Sequence, residues 1–347
     1  MASNNHSLIL HAGPHKTGST ALQAFLFRNR LRLKDNGLLY PESGLRQFGH
    51  HDLIKFLLGR PNDFSLPSFE QDLEFAGQIV LSSEDIMHLG PQELSRLKSL
   101  LRSREAKIVY YLRRLCDLWP SHWKEMIKHG ESLSFPEYLA FACHAAESSH
   151  NPAVDQFLQL DRLRRAFGSD AIRIVGYDFL RLSGGHIATD FLDRFTVVGS
   201  FDGEGSAAEA NPALPDWFIE LLRMLNFQYL SQTGEVAPVG LRKALVKLHS
   251  KEADALSQLK DAIEECVSEV IVDSRCAAIA ALQQRTIDAF GDAICDPAEE
   301  VVKAYCADAV SSTRVLKVST TFPQNVVAEI GRLLSMLGSD LVSSQLQ

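Results

Sequence analysis

The sequence predicts an α/β protein with a central parallel sheet, followed by a mostly helical C-terminal region. In the first half, short apolar runs typical of buried strands alternate with helical patterns. In the second half, the periodicity is almost entirely helical. A stretch over 199–211 that is rich in Gly, Ser, Ala and Glu separates the two. We therefore expect an α/β domain over 1–200 and a helical extension over 201–347, which packs on that domain or forms an oligomer or acceptor surface.

The first strand leads into a turn whose composition is typical of an anion-binding loop. The apolar run Leu8–Leu10 is followed by Gly13, and a helical pattern begins after Gly18. In a strand–turn–helix unit, backbone N–H groups and the helix N-terminus converge on an anion. The alternative is an ordinary glycine turn. We expect the loop to bind phosphate.

The spacing in this loop differs from that of a nucleotide-triphosphate loop, which reads G-x-x-x-x-G-K-[ST]. Gly13 and Gly18 keep the four-residue gap, and Thr20 stands in the last position. Ser19, however, occupies the lysine position, and the lysine lies inside the loop as Lys16. A lysine there reaches a bridging oxygen rather than the terminal phosphates.

Two further strands are expected to end at the same edge of the sheet. The run 78–81 is followed by Glu84, which either caps the next turn or acts as a catalytic base. The run 107–112 is the clearest strand and leads directly into Arg113. His50 and His51 open a short helix before these strands, either as solvated capping residues or with one of them lining the site.

Arg113 is followed by Asp117 four positions later and by Ser121 eight positions later. Asp117 is a suitable N-cap for the next helix, and Ser121 then lies one turn into that helix. Arg113 and Ser121 are expected to close on one phosphate, since arginine supplies a forked, charge-assisted contact and serine a hydroxyl.

These two motifs resemble the 5′-phosphosulfate loop and the 3′-phosphate motif of sulfotransferases that use 3′-phosphoadenosine 5′-phosphosulfate (PAPS). The resemblance covers residues 7 to about 195 and implies a P-loop-NTPase-like three-layer fold. Arg114-Leu115 stands where that family often has Asn-Pro, which resembles the branch of bacterial and carbohydrate sulfotransferases.

The resemblance also implies a set of roles. The activity would be transfer of a sulfuryl group from PAPS to a hydroxyl or amine of a carbohydrate, lipid or small-metabolite acceptor, without a metal. Lys16 would stabilise the departing phosphate, and Glu84 or His51 would be the base, with Glu84 preferred. The residues expected to bind the donor are Gly13, His15, Lys16, Thr17, Gly18, Ser19, Thr20, Arg113 and Ser121.

Two other functional classes remain open. A P-loop kinase or NTPase-like phosphotransferase needs a lysine at position 19 and a carboxylate for Mg²⁺; the first is absent, and Asp85 is a weak candidate for the second. A non-catalytic nucleotide-binding protein would bind PAPS without turnover.

Charge and composition limit the partners. The net charge is −8, but residues 1–130 carry 17 Lys and Arg against 13 Asp and Glu, so the anion-binding chemistry is expected there. The overall acidity argues against nucleic-acid binding. The sequence has neither a signal-peptide layout nor a transmembrane run, and its six cysteines form no C-x-x-C pair. We expect a cytoplasmic protein with reduced thiols and no metal site, and a possible homodimer through the C-terminal helices.

Overall fold

The computed structural model describes residues 7–101, 105–199, 201, 214–251, 256–317 and 324–345. The strands are β1 (Ser7–His11), β2 (Leu38–Leu39), β3 (Gln78–Ser82), β4 (Glu105–Leu112), β5 (Ile172–Gly176), β6 (Val267–Asp273) and β7 (Val310–Leu316). The first five form a parallel sheet in the order β2-β3-β1-β4-β5, and β6 pairs with β7 in antiparallel register. The predicted fold class, a three-layer α/β fold with a central parallel sheet, is confirmed.

Helices make up most of the rest of the described chain. In chain order they are α1 (Ser19–Arg28), α2 (Arg30–Asp35), α3 (His51–Leu57), α4 (Leu66–Asp72), α5 (Pro91–Leu100), α6 (Leu115–Lys128), α7 (Phe135–Glu147), α8 (Gln156–Phe167), α9 (Tyr177–Leu182), α10 (Ile187–Phe195), α11 (Asp216–Thr233), α12 (Val239–Lys251), α13 (Ser257–Cys266), α14 (Ala277–Phe290), α15 (Ala298–Cys306) and α16 (Gln324–Gln345). A 3₁₀ helix spans Glu84–His88, directly after β3.

The sheet is buried on both faces because alternate residues of each strand face opposite layers. On β1, Leu8 and Leu10 pack into one apolar cluster, whereas Ile9 packs into the other. The first cluster takes side chains from α3, α5, α8, α14 and α15, and the second takes side chains from α1, α2 and α10. The near-continuous apolar runs of the sequence therefore correspond to fully buried strands.

Strand β4 extends beyond β1 at the carboxyl edge of the sheet. His11, the last residue of β1, pairs with Val109, and β4 continues for three more residues to Leu112. The amide of Tyr111 donates to the carbonyl of Gly13, so this extension runs along the loop that follows β1. At about 3.3 Å per residue, the overhang carries the next residue, Arg113, well past the end of β1.

The chain forms two compact units made of interleaved segments. The first contains Met1–Leu115, Ala145–Asn211 and Ala277–Asp308, and the second contains Cys116–His144, Pro212–Cys276 and Ala309–Gln347. Most of the linker at 199–211 lies outside the described residues, and the division into domains at residue 200 stays a prediction. The segment 277–308 supplies α14 and α15 to the layer over the sheet of the first unit.

In the second unit, α11 packs against α13, α16 and β7, and α12 packs against α16. The second half is expected to be almost entirely helical, but α13 ends at Cys266 and the strand β6 begins at the next residue. The strand β6 is mostly half-buried or exposed, and its pairing partner β7 comes more than 30 residues later. This pairing has no local signature, so the sequence pattern alone favoured a helix. No helix in the described part of the chain is long and apolar enough to cross a lipid bilayer.

His50 is buried and is not a solvated capping residue. Its Nε2 lies 3.1 Å from the carbonyl of Pro41, and its Nδ1 accepts the amide of Ser82 at 3.1 Å. Both bonds are satisfied by the neutral ring with its proton on Nε2. Burial lowers the pKa of His50 to about 3, and burial likewise lowers the pKa of His11 to about 4.

We expect the protein to lose stability as the pH falls below 6.5, the ordinary pKa of histidine that the unfolded chain retains. The folded-state pKa is depressed, so the unfolded state binds protons first, and each such histidine lowers the free energy of unfolding by about 1.4 kcal/mol per pH unit. Urea unfolding between about pH 7.5 and about pH 5 measures this slope. His50→Asn keeps an acceptor for Ser82 and should reduce the slope of the free energy of unfolding against pH by the contribution of one histidine. His150→Asn, at an exposed position, should leave this slope unchanged. An unchanged slope in His50→Asn would contradict this assignment.

Candidate functional site

The loop between β1 and α1 has a backbone suited to anion binding. Gly13, Lys16 and Gly18 have positive φ angles of 86°, 68° and 80°. Alternation of left- and right-handed residues turns successive N–H groups toward one side, which is the geometry of an anion-binding nest. Helix α1 begins directly after it, at Ser19, with no acidic residue in its first turn. Backbone amides and the positive end of the helix therefore converge at this loop.

The loop hydroxyls are used to hold the loop itself. The Oγ1 of Thr17 donates to the carbonyl of Pro14 at 2.7 Å, and the Oγ of Ser19 donates to the same carbonyl at 3.2 Å. Both side chains are buried, whereas Thr20 is exposed at the start of α1. The sequence interpretation places Thr17 and Ser19 among the residues that bind the donor. In the structure their hydroxyl protons are bonded within the loop, and anion binding by the loop stays a prediction.

Arg113 reaches this loop from the end of β4. Its Nη1 donates to the backbone carbonyl of Lys16, and its guanidinium lies 5.4 Å from the ring centroid of Tyr177. The same Tyr177 ring packs near Gly18. The two groups that the sequence singled out 97 residues apart are thus in direct contact within the first unit.

Arg113 is held in place by a glutamine that sequence reasoning missed. The amide of Arg113 donates to Oε1 of Gln156 at 3.1 Å, and Nε2 of Gln156 donates back to the carbonyl of Arg113 at 2.7 Å. Gln156 is buried at the start of α8, and its side-chain amide makes the pair of hydrogen bonds that the backbone of a neighbouring strand would make. Gln283 accepts the amide of Leu115 at 2.9 Å in the same way. No sequence signal marks either glutamine, because each pairs with backbone that is remote in the chain.

Ser121 belongs to the second unit, whereas Arg113 belongs to the first. The hydroxyl of Ser121 donates to the carbonyl of Asp117 at 3.0 Å, within helix α6. That helix already begins at Leu115, so Asp117 lies in its first turn and is not its N-cap. The joint action of Arg113 and Ser121 on one phosphate stays a prediction.

Arg114 has a structural role. Its amide donates to Oδ2 of Asp178 at 2.6 Å, and its Nε lies 3.7 Å from Oδ1 of the same carboxylate. Asp178 is buried in the first turn of α9. This pair fixes the turn after β4 and makes Arg114 a matched comparison for Arg113.

Glu84 is largely buried beside the loop. Its Oε2 accepts from Nε2 of Gln23 at 2.6 Å, and its Oε1 lies 3.8 Å from Nδ1 of His15. It packs closely on Gly13, where an added Cβ would come within 3.1 Å of the Cβ of Glu84. Glycine at position 13 is therefore required both for its positive φ and for the approach of Glu84. Glu84 therefore lies directly beside the loop, and its role as a base stays a prediction.

His51 is bound to Asp85. Its Nδ1 lies 2.9 Å from Oδ2 of Asp85 and 3.1 Å from Oγ of Ser83. Burial lowers the pKa of His51, but the hydrogen bond to Asp85 and the charges of Glu84 and Asp85 outweigh this and raise it. Burial raises the pKa of Asp85, but its hydrogen bond to His51 and the nearby histidines bring it below its ordinary value. His51 and Asp85 therefore form an imidazolium–carboxylate pair over the pH range between their two pKa values.

The other ring nitrogen of His51 packs against the backbone. An added Cβ on Gly49 would come within 2.7 Å of Nε2 of His51 and within 2.9 Å of Nε2 of Gln23. Asp85, which the sequence analysis names only as a weak carboxylate candidate for Mg²⁺, is the centre of this polar group, because its Oδ1 also lies 3.6 Å from Nε2 of His15. The sequence signal that could have pointed to Asp85 is that it directly follows Glu84 after a predicted strand.

No family model and no curated protein matches the chain. A solved structure of a sulfotransferase from Alicyclobacillus acidocaldarius is similar to it, with 18% sequence identity and a TM-score of 0.38. The similarity covers 61% of this chain and 88% of that chain. A similarity at this TM-score decides neither fold nor function, so the site is interpreted from its own geometry.

The left-handed backbone of Lys16 leads to a test that separates stability from binding. A residue with a Cβ at this φ is disfavoured by about 1 kcal/mol relative to glycine. We expect the free energy of unfolding of Lys16→Gly to exceed that of Lys16→Ala by about 1 kcal/mol. Both variants should lose anion binding at the loop. Denaturant unfolding measures the first effect, and thermal shift with adenosine 3′,5′-bisphosphate measures the second. Equal stabilities would show that the loop does not hold position 16 in this conformation.

Proposed function

We propose that the protein is a PAPS-dependent sulfotransferase that acts on a hydroxyl or amine. The contact between the Arg113 guanidinium and the Lys16 carbonyl carries this proposal. The 3′- and 5′-phosphates of the donor are attached to one ribose, so the groups that bind them must lie close enough for a single nucleotide to reach both. Arg113 and the loop meet this requirement, and both belong to one unit.

The loop supplies the 5′ side of the donor site. Its backbone amides and the N-terminus of α1 hold the 5′-phosphate, and the Lys16 ammonium stabilises the charge that develops on the bridging oxygen. Arg113 binds the 3′-phosphate. The planar fork of an arginine guanidinium matches the oxygens of a phosphate and binds them with charge-assisted hydrogen bonds. Because ATP lacks the 3′-phosphate, Arg113 is the residue that discriminates between the two nucleotides.

The transfer itself is an in-line displacement. The acceptor oxygen or nitrogen forms a bond to sulfur, while the bond between sulfur and the bridging oxygen breaks and its electron pair leaves with adenosine 3′,5′-bisphosphate. The acceptor proton passes to a base. Glu84 is the better candidate, because its carboxylate lies against Gly13 of the loop, whereas Nδ1 of His51 is bound to Asp85 and its Nε2 packs against Gly49.

Nucleotide selectivity tests the donor site. We expect adenosine 3′,5′-bisphosphate to raise the melting temperature of the wild-type protein, and Mg·ATP to have little effect. Arg113→Ala should lose most of the shift, because a charge-assisted phosphate contact is worth about 1.5–3 kcal/mol. Arg114→Ala should retain the shift, since Arg114 is bound to Asp178. A shift by Mg·ATP alone would support a phosphotransferase and contradict the proposal.

The base is tested once a screen with sulfur-labelled PAPS has supplied an acceptor. We expect Glu84→Gln to lower kcat by about 10²–10⁴-fold and to keep the thermal shift with adenosine 3′,5′-bisphosphate. His51→Gln should affect kcat far less. If His51→Gln lost transfer while Glu84→Gln remained active, His51 rather than Glu84 would be the base. Binding of the bisphosphate without transfer to any acceptor would instead indicate a nucleotide-binding protein.

A further inference from the structure

The polar cluster beside the loop has the composition of a metal site. His15, Asp85 and His88 each direct one ligand atom to the same place, and these atoms lie within 4.8 Å of one another. We propose that these three residues bind a divalent transition-metal ion of the zinc class. The proposal goes beyond the sulfuryl transfer described above, which requires no metal, and it revises the expectation from the sequence that the chain has no metal site.

Local structure brings the three ligands together. Asp85 and His88 lie three residues apart in the 3₁₀ helix that follows β3. With three residues per turn, side chains at this spacing lie one above the other on the same side of a 3₁₀ helix. His15 comes from the loop after β1, and β1 is the direct neighbour of β3 in the sheet. The ligand set therefore combines one histidine of the loop with an Asp-x-x-His segment of the adjacent strand end.

The distances fit a shared ion after a small adjustment. Two ligands at about 2.0–2.1 Å from a tetrahedral ion are about 3.3 Å apart. Nε2 of His15 and Oδ1 of Asp85 are already at 3.6 Å. The largest separation allowed within the cluster, 4.8 Å, exceeds the ideal value by about 1.5 Å. His88 is the exposed member of the three, so rotation of its ring closes this gap without disturbing the core.

The surroundings also match those of metal ligands, which are usually oriented by a second partner. Oδ2 of Asp85 lies 2.9 Å from His51, which turns the other carboxylate oxygen toward His15. Nδ1 of His15 lies 3.8 Å from Oε1 of Glu84, so the nitrogen opposite to the ligating one faces a carboxylate. This order of carboxylate, imidazole and ion is common in protein zinc sites.

The ligand types select the class of ion. Two imidazoles and one carboxylate favour Zn²⁺, Co²⁺ or Ni²⁺, whereas Mg²⁺ and Ca²⁺ prefer oxygen ligands. Three protein ligands leave a tetrahedral ion one open position. The competing explanation is a protonated His15 that bridges Glu84 and Asp85 with no ion, and the experiment distinguishes the two.

The test uses the full chain, stripped with a chelator and titrated with Co²⁺ while the visible absorption is followed. We expect one ion per chain with the absorption of a low-coordinate site, and displacement by Zn²⁺. His88→Ala and Asp85→Asn should each abolish this absorption. His150→Ala, which removes an exposed histidine outside the cluster, should leave it intact. His51→Gln keeps all three ligands, so it should retain one ion per chain and weaken its affinity by about 10–100-fold.

Thermal unfolding of each variant verifies that it is folded before titration. If the wild type binds no more Co²⁺ than His88→Ala, or if absorption survives in both ligand variants, the site does not exist and the protonated bridge is correct. The readout needs neither nucleotide nor acceptor. Co²⁺ binding without a bisphosphate shift would uphold the metal site and refute the sulfotransferase, and the reverse result would do the opposite.

Discussion

The candidate site depends on the parallel pairing of β1 with β3 on one side and β4 on the other. Parallel strands end at the same edge of a sheet, so the loop after β1, the carboxylates after β3 and the arginine after β4 all face one another. Unequal strand length refines this arrangement. Because β4 continues past the end of β1, Arg113 reaches the level of Lys16 instead of lying below the loop.

Hydrogen bonds within the first unit hold the loop between β1 and α1 in its conformation. Thr17 and Ser19 both donate to the carbonyl of Pro14, and the carbonyl of Lys16 accepts from Arg113. An anion that binds there meets N–H groups that are already oriented, so little conformational entropy is lost on binding. The positive φ of Lys16 costs conformational energy, because a residue with a Cβ is disfavoured in this region. Arg113 is also held in a fixed position, because the side-chain amide of Gln156 bonds to both its N–H and its carbonyl group.

Charges of both signs lie within this small region, in two adjoining groups. Lys16, Arg113 and the helix terminus form the side suited to an anion. Glu84 and Asp85 face His15 and His51 on the other side. The acidic side suits a proton or a metal ion, and the basic side suits phosphates. His15 belongs to the loop and also lies close to both carboxylates of the acidic side.

Three features could be predicted from the residues alone: the strand–loop–helix unit around Gly13 and Gly18, the strands that end shortly before Glu84 and Arg113, and the α/β class. Each of these follows from residues that are close in the chain, where apolar runs and turn residues report directly on local structure. The fold was needed to see that Asp85 lies beside His51 and His15, that Gln156 holds Arg113, and that 277–308 returns to cover the sheet. These contacts join residues that are remote in the chain, and such contacts produce no periodicity or spacing that a sequence pattern could reveal.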